Sequence, residues 1–509
     1  MIFISSIIVV SAALCQISSA PANSPLLSGF ADLHVHQMAE FAFRRAWFAK
    51  GANGGYSHKG KIEDALHQCN GGFNEQHAGT IFGPLIDKEI GPDAGLHLEK
   101  RWGVPDNDCD RGKPNWYQKL LGLCKVDKNL SGFPIYTTYT HQQVWEGYLK
   151  TAHDSGLTLM VMSAVNYKPL CKIMATSGID NDPTLACDGM VSIKRQFDEA
   201  KIFCTERKWC QVVYSPEDAR NVIAAGRMAV LLSIELSHIF EDSHDAIGAQ
   251  VDYWYDQGMR VVQIAHEEDN IFAGVNPTNP IFKFFQAVEA ITHINPSKWP
   301  EVGEDGLNKK GLTEKGVALV NKLMEKGIII DVAHLSFRST EDIFQIGVEK
   351  SYYPFIQSHG SFGHNDYSEE RYLTDWMSLY LKKSGGMLGS MTRNVIKNYE
   401  YSFQLGINIA FGSDLNGFAK QLAPNATFQD KELREKGFAH MGLYPGLKKE
   451  IEYVSLDKGG SILHRSTENV VQLWERCLNN KRKMLSTEGF NPSNKFSASP
   501  RGVFNASQV

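Results

Sequence analysis

The sequence predicts an α/β fold, a (β/α)8 TIM-like barrel with a long cysteine-containing insertion after the first strand. Three observations carry that expectation. Short apolar runs recur along the chain, with helical spacing between most of them. The runs are continuously apolar rather than alternating, as parallel strands covered on both faces are. Six of them end on an ionisable side chain, which fits strands whose ends converge on one mouth.

The first strand is expected over Gly29 to Val35, followed by an irregular region, about 38–139, rich in Gly, Asn, Asp, Trp and Cys. So long a loop needs cross-links or a function of its own, and Cys69, Cys109 and Cys124 lie in it. Regular patterning then begins. Thr140 to Ser155 has helical spacing and a Gly156 stop, and Leu157 to Val165 reads as a strand. Ser192 to Glu206 and Pro216 to Ala225 read as helices, Met228 to Leu236 as a strand, and Gly248 to Gln257 as a helix. Val261 to His266 is a strand, Thr313 to Lys326 a helix capped by Thr313, and Gly327 to His334 a strand. Arg338 to Val348 is helical, Pro354 to His359 a strand, and Tyr372 to Lys383 a helix. Gly386 to Met391 and Ile407 to Asp414 complete eight strands, and helices are expected at Gly446 to Tyr453 and Ser466 to Leu478.

Composition narrows the class. The 509 residues are 43% hydrophobic and 21% charged, an ordinary globular balance, and the net charge is −5. No Lys/Arg block asks for nucleic acid or an anionic membrane. The apolar run Ile2 to Cys15 and the small-x-small site Ala20-Pro21-Ala22 predict an export signal over 1–22, although no Lys or Arg precedes the run. The barrel is expected over 23–480 and a tail over 481–509, with no transmembrane segment and no apolar C-terminal anchor signal. Beyond Cys15, eight cysteines suit up to four disulfides in an exported chain. Sequons at Asn129, Asn425 and Asn505 predict exposed glycosylation positions. Together these point to a secreted protein.

The strand ends carry the chemistry. His34 and His36 sit two apart, so both rings face one side of the first strand and can grip one cation. Later strands end in Glu235, His266, His334, His359 and Asp414. Buried together, such groups need a compensating charge, which a metal provides. His34 and His36 are expected to hold one divalent ion, His334 and His359 a second, with Glu235 bridging. A water between two such ions ionises near neutral pH. Asp414 is placed to move its proton, and His266 to hydrogen-bond an oxyanion.

These motifs resemble the membrane (renal) dipeptidase family of zinc peptidases, within the amidohydrolase superfamily. The matching pieces are Ile234-Glu235-Leu236-Ser237-His238, Gly311-Leu312-Thr313 leading to Ile330-Asp331-Val332-Ala333-His334, Gln357-Ser358-His359-Gly360-Ser361 and Gly412-Ser413-Asp414-Leu415-Asn416-Gly417. Ser466 to Cys477 resembles that family's closing helix. The resemblance implies His34, His36, Glu235, His334 and His359 as ligands of two Zn2+ ions per chain. It also implies Asp414 as acid/base, His266 as partner of the reacting carbonyl, and Arg371 as the arginine that holds a substrate carboxylate. Two departures stand out. The family usually carries His-x-Asp where this chain has His34-x-His36, and the 38–139 region is longer than expected. Dipeptide or another small-molecule amide is the expected substrate. A lactone or ester substrate, and a non-catalytic binding protein on the same barrel, are the alternatives. Glu267, Glu268 and Asp269 read as a solvated loop run, His364 and Asp366 as loop polar groups, and His238 is open between surface and ligand-orienting roles.

Overall fold

The computed structural model describes residues 26–45, 56–62, 136, 142–169, 171–172, 182–240, 246–276, 300–363, 370–419, 421–454 and 461–486. The expected export signal, most of the 38–139 insertion, Asn129, His364, Asp366 and Asn505 lie outside the described residues.

Strand β1 (Phe30–Val35) is followed by helix α1 (Glu146–Asp154) and strand β2 (Leu157–Asn166). Next come α2 (Gly189–Arg207), β3 (Cys210–Val212), α3 (Pro216–Ala224) and β4 (Met228–Leu236). The chain continues through α4 (Ile247–Asp256), β5 (Met259–Gln263), α5 (Glu314–Lys326) and β6 (Ile329–Asp331). It completes the sheet with α6 (Phe337–Glu349), β7 (Ile356–Gly360), α7 (Asp375–Ser384), β8 (Met387–Ser390), α8 (Val395–Leu405) and β9 (Asn408–Phe411). Helices α9 (Lys431–Lys436), α10 (Tyr444–Val454), α11 (Ser461–His464) and α12 (Ser466–Ser486) close the chain.

Every strand pairing is parallel, in the order β2-β1-β9-β8-β7-β6-β5-β4, and β2 pairs with β4 to close an eight-stranded barrel. The β2–β4 register runs from Leu159 opposite Ala229 to Asn166 opposite Leu236. The expectation of eight barrel strands holds. A ninth strand, β3, pairs only with β4 and stands outside the barrel. Three residues show no period, so this strand is invisible to patterning; the Cys204–Cys210 disulfide ties it to α2. Nearly every residue of the barrel strands is buried, which accounts for their unbroken apolar runs.

The helix ends follow local chemistry. Thr313 accepts from Gly316 N–H at 3.1 Å, as its sequence position predicts, and Ser336 caps α6 in the same way. Three expectations need correction. The helix expected from Thr140 begins at Glu146, with Trp145 in extended geometry ahead of it. The helix over Val395–Leu405 is additional to those expected, and α12 extends past Leu478 to Ser486. That last helix is tied to the barrel by Ser466 Oγ accepting from Ala31 N–H at 2.9 Å. Arg220 of α3 adds a clamp, reaching both oxygens of Glu468.

The strands expected to reach His266, His334 and Asp414 stop earlier, at Gln263, Asp331 and Phe411. The ladder gives way to side-chain acceptors. Asp331 Oδ1 accepts from Ala333 N–H at 3.0 Å and Ser358 N–H at 2.9 Å, and its Oδ2 accepts from Gln263 Nε2 at 2.8 Å. Asp32 does the same beside β1, accepting from His34 N–H and Ser413 N–H, each at 3.1 Å, and from the Tyr444 hydroxyl at 2.5 Å. Burial raises the pKa of both carboxyls.

Cysteine parity does not survive. Cys171–Cys187 and Cys204–Cys210 are bonded, but Cys477 is a buried free thiol packed among the strands and helices of the core, so the eight cysteines do not form four pairs. Where a side chain is buried outranks the count.

Asp331→Ala strips three buried donors of their acceptor. It is expected to lower stability by at least about 3 kcal/mol, with Asp331→Asn milder, as read from the urea midpoint. An unchanged midpoint for the alanine variant would show that the turn is held by other means.

Candidate metal centre

All seven strand-end residues meet at the C-terminal mouth of the barrel. Glu235, one residue from the end of β4, is at the middle. Its Oε2 lies 3.1 Å from both His34 Nε2 and His36 Nε2. Its Oε1 lies 3.4 Å from both His266 Nε2 and His334 Nε2. The two oxygens therefore face two different imidazole pairs. His34 and His36 Nε2 are 3.0 Å apart, and His334 and His359 Nε2 are 2.7 Å apart. Asp414 Oδ1 completes the first group, 3.0 Å from His36 Nε2 and 3.8 Å from His34 Nε2.

These spacings suit a metal. Zinc bonds of roughly 2.0–2.1 Å at tetrahedral angles place donor atoms about 3.3 Å apart. Three overlapping sets have donor atoms all within 4.8 Å of one another: His34, Glu235, His359; His34, His36, Asp414; and Glu235, His266, His334. Asp414 and His266, expected to act on protons and substrate, thus also stand at ligand distance.

The outer ring nitrogens settle which way the inner ones face. His36 Nδ1–H donates to the Ser163 carbonyl at 2.8 Å, and His334 Nδ1–H points to Glu267 Oε1 at 3.2 Å. Both partners can only accept, so each ring keeps a proton on Nδ1 and presents Nε2 to the cluster. Ser358 Oγ lies 3.0 Å from Nδ1 of His34 and 3.0 Å from Nδ1 of His359, with lone pairs for both. Ring nitrogens packed this closely need a shared proton or a cation between them. The donor set fits divalent metal ions.

The electrostatics follow from burial and proximity. Burial opposes charge on Glu235, but His34, His266 and His36 prevail and hold its carboxyl well below the usual range. Burial also works against His36, yet Glu235 and Asp414 push it up to about 10. His266 is pushed down to about 4 by burial, and His359 well below its ordinary value by burial with His34 and His334 alongside. One carboxylate cannot satisfy every ring, so neighbouring imidazoles are driven in opposite directions.

Strained backbone occurs here too. Glu267 (φ 54°), His334 (φ 64°), Asp414 (φ 53°) and Asn416 (φ 65°) all adopt left-handed geometry. That costs about 1 kcal/mol or more per residue and persists where surroundings over-determine it. Asn416 shows how. Its amide donates to the His36 carbonyl and Gln142 Oε1 while its oxygen accepts from Gln143 N–H, locking the Asp414 loop to β1.

The charge of Arg371 is felt, as a minor influence, by Glu267, His334 and His359. Its carbonyl is pinned by Gln357 Nε2 at 2.6 Å. The expectation of a solvated Glu267–Asp269 run is overturned: all three are buried. Glu268 binds His238 Nε2 at 2.5 Å and the Tyr167 hydroxyl at 3.0 Å, and Asp269 accepts from Asn308 and Val275. His238 thus buttresses the loop after His266 rather than a candidate ligand. Sequence reasoning also passed over Ser358, Asp32 and Asp331. A serine or aspartate inside an apolar run, one to three residues before a histidine, was the available signal. Asn425 is exposed.

The model of the membrane dipeptidase family, peptidase family M19, matches residues 123–431. Several solved structures are similar. An amidohydrolase from Pseudomonas aeruginosa is 15% identical with a TM-score of 0.43, over 65% of this chain and 93% of that one. A metallo peptidase from Rhodobacter sphaeroides, liganded with a phosphinate mimic of the dipeptide L-Ala-D-Ala, is 17% identical with a TM-score of 0.45, over 65% and 89%. The probable dipeptidase PvdM from Pseudomonas aeruginosa is 14% identical with a TM-score of 0.43, over 65% and 88%. No curated protein matches the chain.

Gly417 closes over the first donor group. A Cβ there would meet Asp414 Oδ1 at 1.9 Å and His36 Cδ2 at 2.6 Å. Gly417→Ala is expected to weaken zinc uptake at least about tenfold while circular dichroism stays native. Undiminished uptake in a chelator competition would mean that Asp414 and His36 yield freely.

Proposed function

The chain belongs to the membrane dipeptidase family and is a metal-dependent hydrolase, and from that premise we propose that it is a secreted, binuclear zinc enzyme cleaving the amide bond of a dipeptide or similarly small substrate. The observation that supports this best is the division of Glu235, one oxygen toward His34 and His36, the other toward His266 and His334. In this reading His34 and His36 would hold one zinc and His334 and His359 the other, with a Glu235 oxygen available to each. Metal ions held there would supply Lewis acidity that lowers the pKa of a coordinated water toward 7.

The remaining work falls to the chain. Asp414 takes the proton from the attacking water and delivers it to the departing amine. His266 donates to the carbonyl oxygen as negative charge develops there, an interaction worth about 3 kcal/mol. Arg371 presents paired donors to the terminal carboxylate of the substrate, fixing the scissile bond over the site. His36, in place of the carboxylate usual in the family, leaves the cluster one charge more positive, which favours a more acidic water.

Secretion is supported by the two disulfides among the described residues, since disulfides persist in oxidising compartments, and by the exposed Asn425 sequon, proposed as a glycosylation site with Asn129 and Asn505. No helix among the described residues is long and apolar enough to cross a membrane.

Purified protein is expected to carry about two zinc ions per chain and to lose dipeptide hydrolysis on chelation. Absence of both metal and turnover would favour a binding protein, and turnover of lactones but not dipeptides an ester-opening enzyme. Arg371→Ala is expected to raise KM for dipeptides at least about tenfold, equivalent to about 1.4 kcal/mol. It should leave dipeptide amides, which lack the carboxylate, unaffected. Equal losses on both would remove Arg371 from that role.

A further inference from the structure

The Glu267 carboxylate is buried beside the second imidazole group, and the proposed reaction gives it no part. Its Oε1 is 3.2 Å from His334 Nδ1 and 3.7 Å from His266 Nε2. Both Glu267 and His334 hold left-handed backbone, at φ 54° and 64°, so each is turned off its strand axis at some cost to face the other. The turn is closed by Glu268 N–H donating to the His266 carbonyl at 2.6 Å, and is buttressed by Glu268 on His238 and Tyr167. The carboxylate oxygen can only accept, so a ring that gives Nε2 to a metal keeps its proton on Nδ1, toward Glu267, while Nε2 stands beside Glu235 Oε1 and His359.

We propose that Glu267 is a positioning residue: it holds the His334 ring by its Nδ1–H and so completes the second metal pocket. This role rests on the binuclear reading of the site. A ring without that partner is free to rotate about χ2 or to shift its proton to Nε2, and either change removes the inward lone pair. The neutral acceptor of a glutamine serves the same geometry, so the role depends on the hydrogen bond more than on the charge.

The test is zinc binding by competition with a chromophoric chelator, comparing the native chain, Glu267→Met, Glu267→Gln, His334→Ala and the Glu267→Met/His334→Ala double variant. Methionine fills the same volume without an acceptor, and Glu267→Ala replaces it in the comparison if the methionine variant does not fold. The native chain should bind two ions. Glu267→Met should bind one normally and the other about 10–100-fold more weakly, Glu267→Gln should recover the second to within a few-fold, and the double variant should be no weaker than His334→Ala. Two normal sites in Glu267→Met, failure of Glu267→Gln to recover binding, or additive losses in the double variant would overturn this inference alone. A native chain that binds no metal pair would overturn the binuclear reading and the inference with it.

Discussion

A buried carboxylate ringed by imidazoles is the constraint from which the rest of the structure takes its shape. Glu235 is almost wholly out of water, and a charge so placed is tolerable only when paired and hydrogen-bonded on every side. Its partners come from β1, β5, β6 and their following turns, hundreds of residues apart in sequence. Only a closed parallel barrel brings so many strand ends to one point from one side. The barrel is therefore the means by which a single acidic side chain acquires four nitrogen neighbours.

The same demand explains features that stability alone would disfavour. Strands stop short of His266, His334 and Asp414, at Gln263, Asp331 and Phe411. Asp32 and Asp331 replace the lost ladder bonds, each accepting backbone N–H groups from two neighbouring strand ends. His334 and Asp414 take left-handed backbone just beyond those strand ends. The remainder of the described fold offsets this strain: a continuous apolar core, capped helices and the α12 clamp onto β1 and α3.

Much of this was legible in the chain. His34, His36, Glu235, His266, His334, His359 and Asp414 each follow an apolar run, and the structure gathers all seven. What stayed hidden depends on three-dimensional partners. Glu267, Glu268 and Asp269 have the composition of a solvated loop, and only His334, His238, Tyr167 and Asn308 make them interior groups. Ser358 reads as a small strand residue until two rings converge on its hydroxyl. β3 is too short to show a period, and Cys477 shows that parity says nothing about reach. Helix α8 did leave a signal, with Val395, Tyr399 and Ser402 buried at helical spacing ahead of Gly406.

Nitrogen and oxygen donors from opposite sides of the mouth share a pair of ions through Glu235 in the mechanism proposed here. X-ray absorption at the zinc edge of the purified protein reads that sharing without intermediaries. A pair so bridged should give nitrogen and oxygen scatterers at roughly 2.0–2.1 Å with imidazole outer shells, and a zinc–zinc vector of about 3.5–4 Å. Sulfur in the first shell, or loaded zinc with no second metal at that distance, would rule the shared pair out.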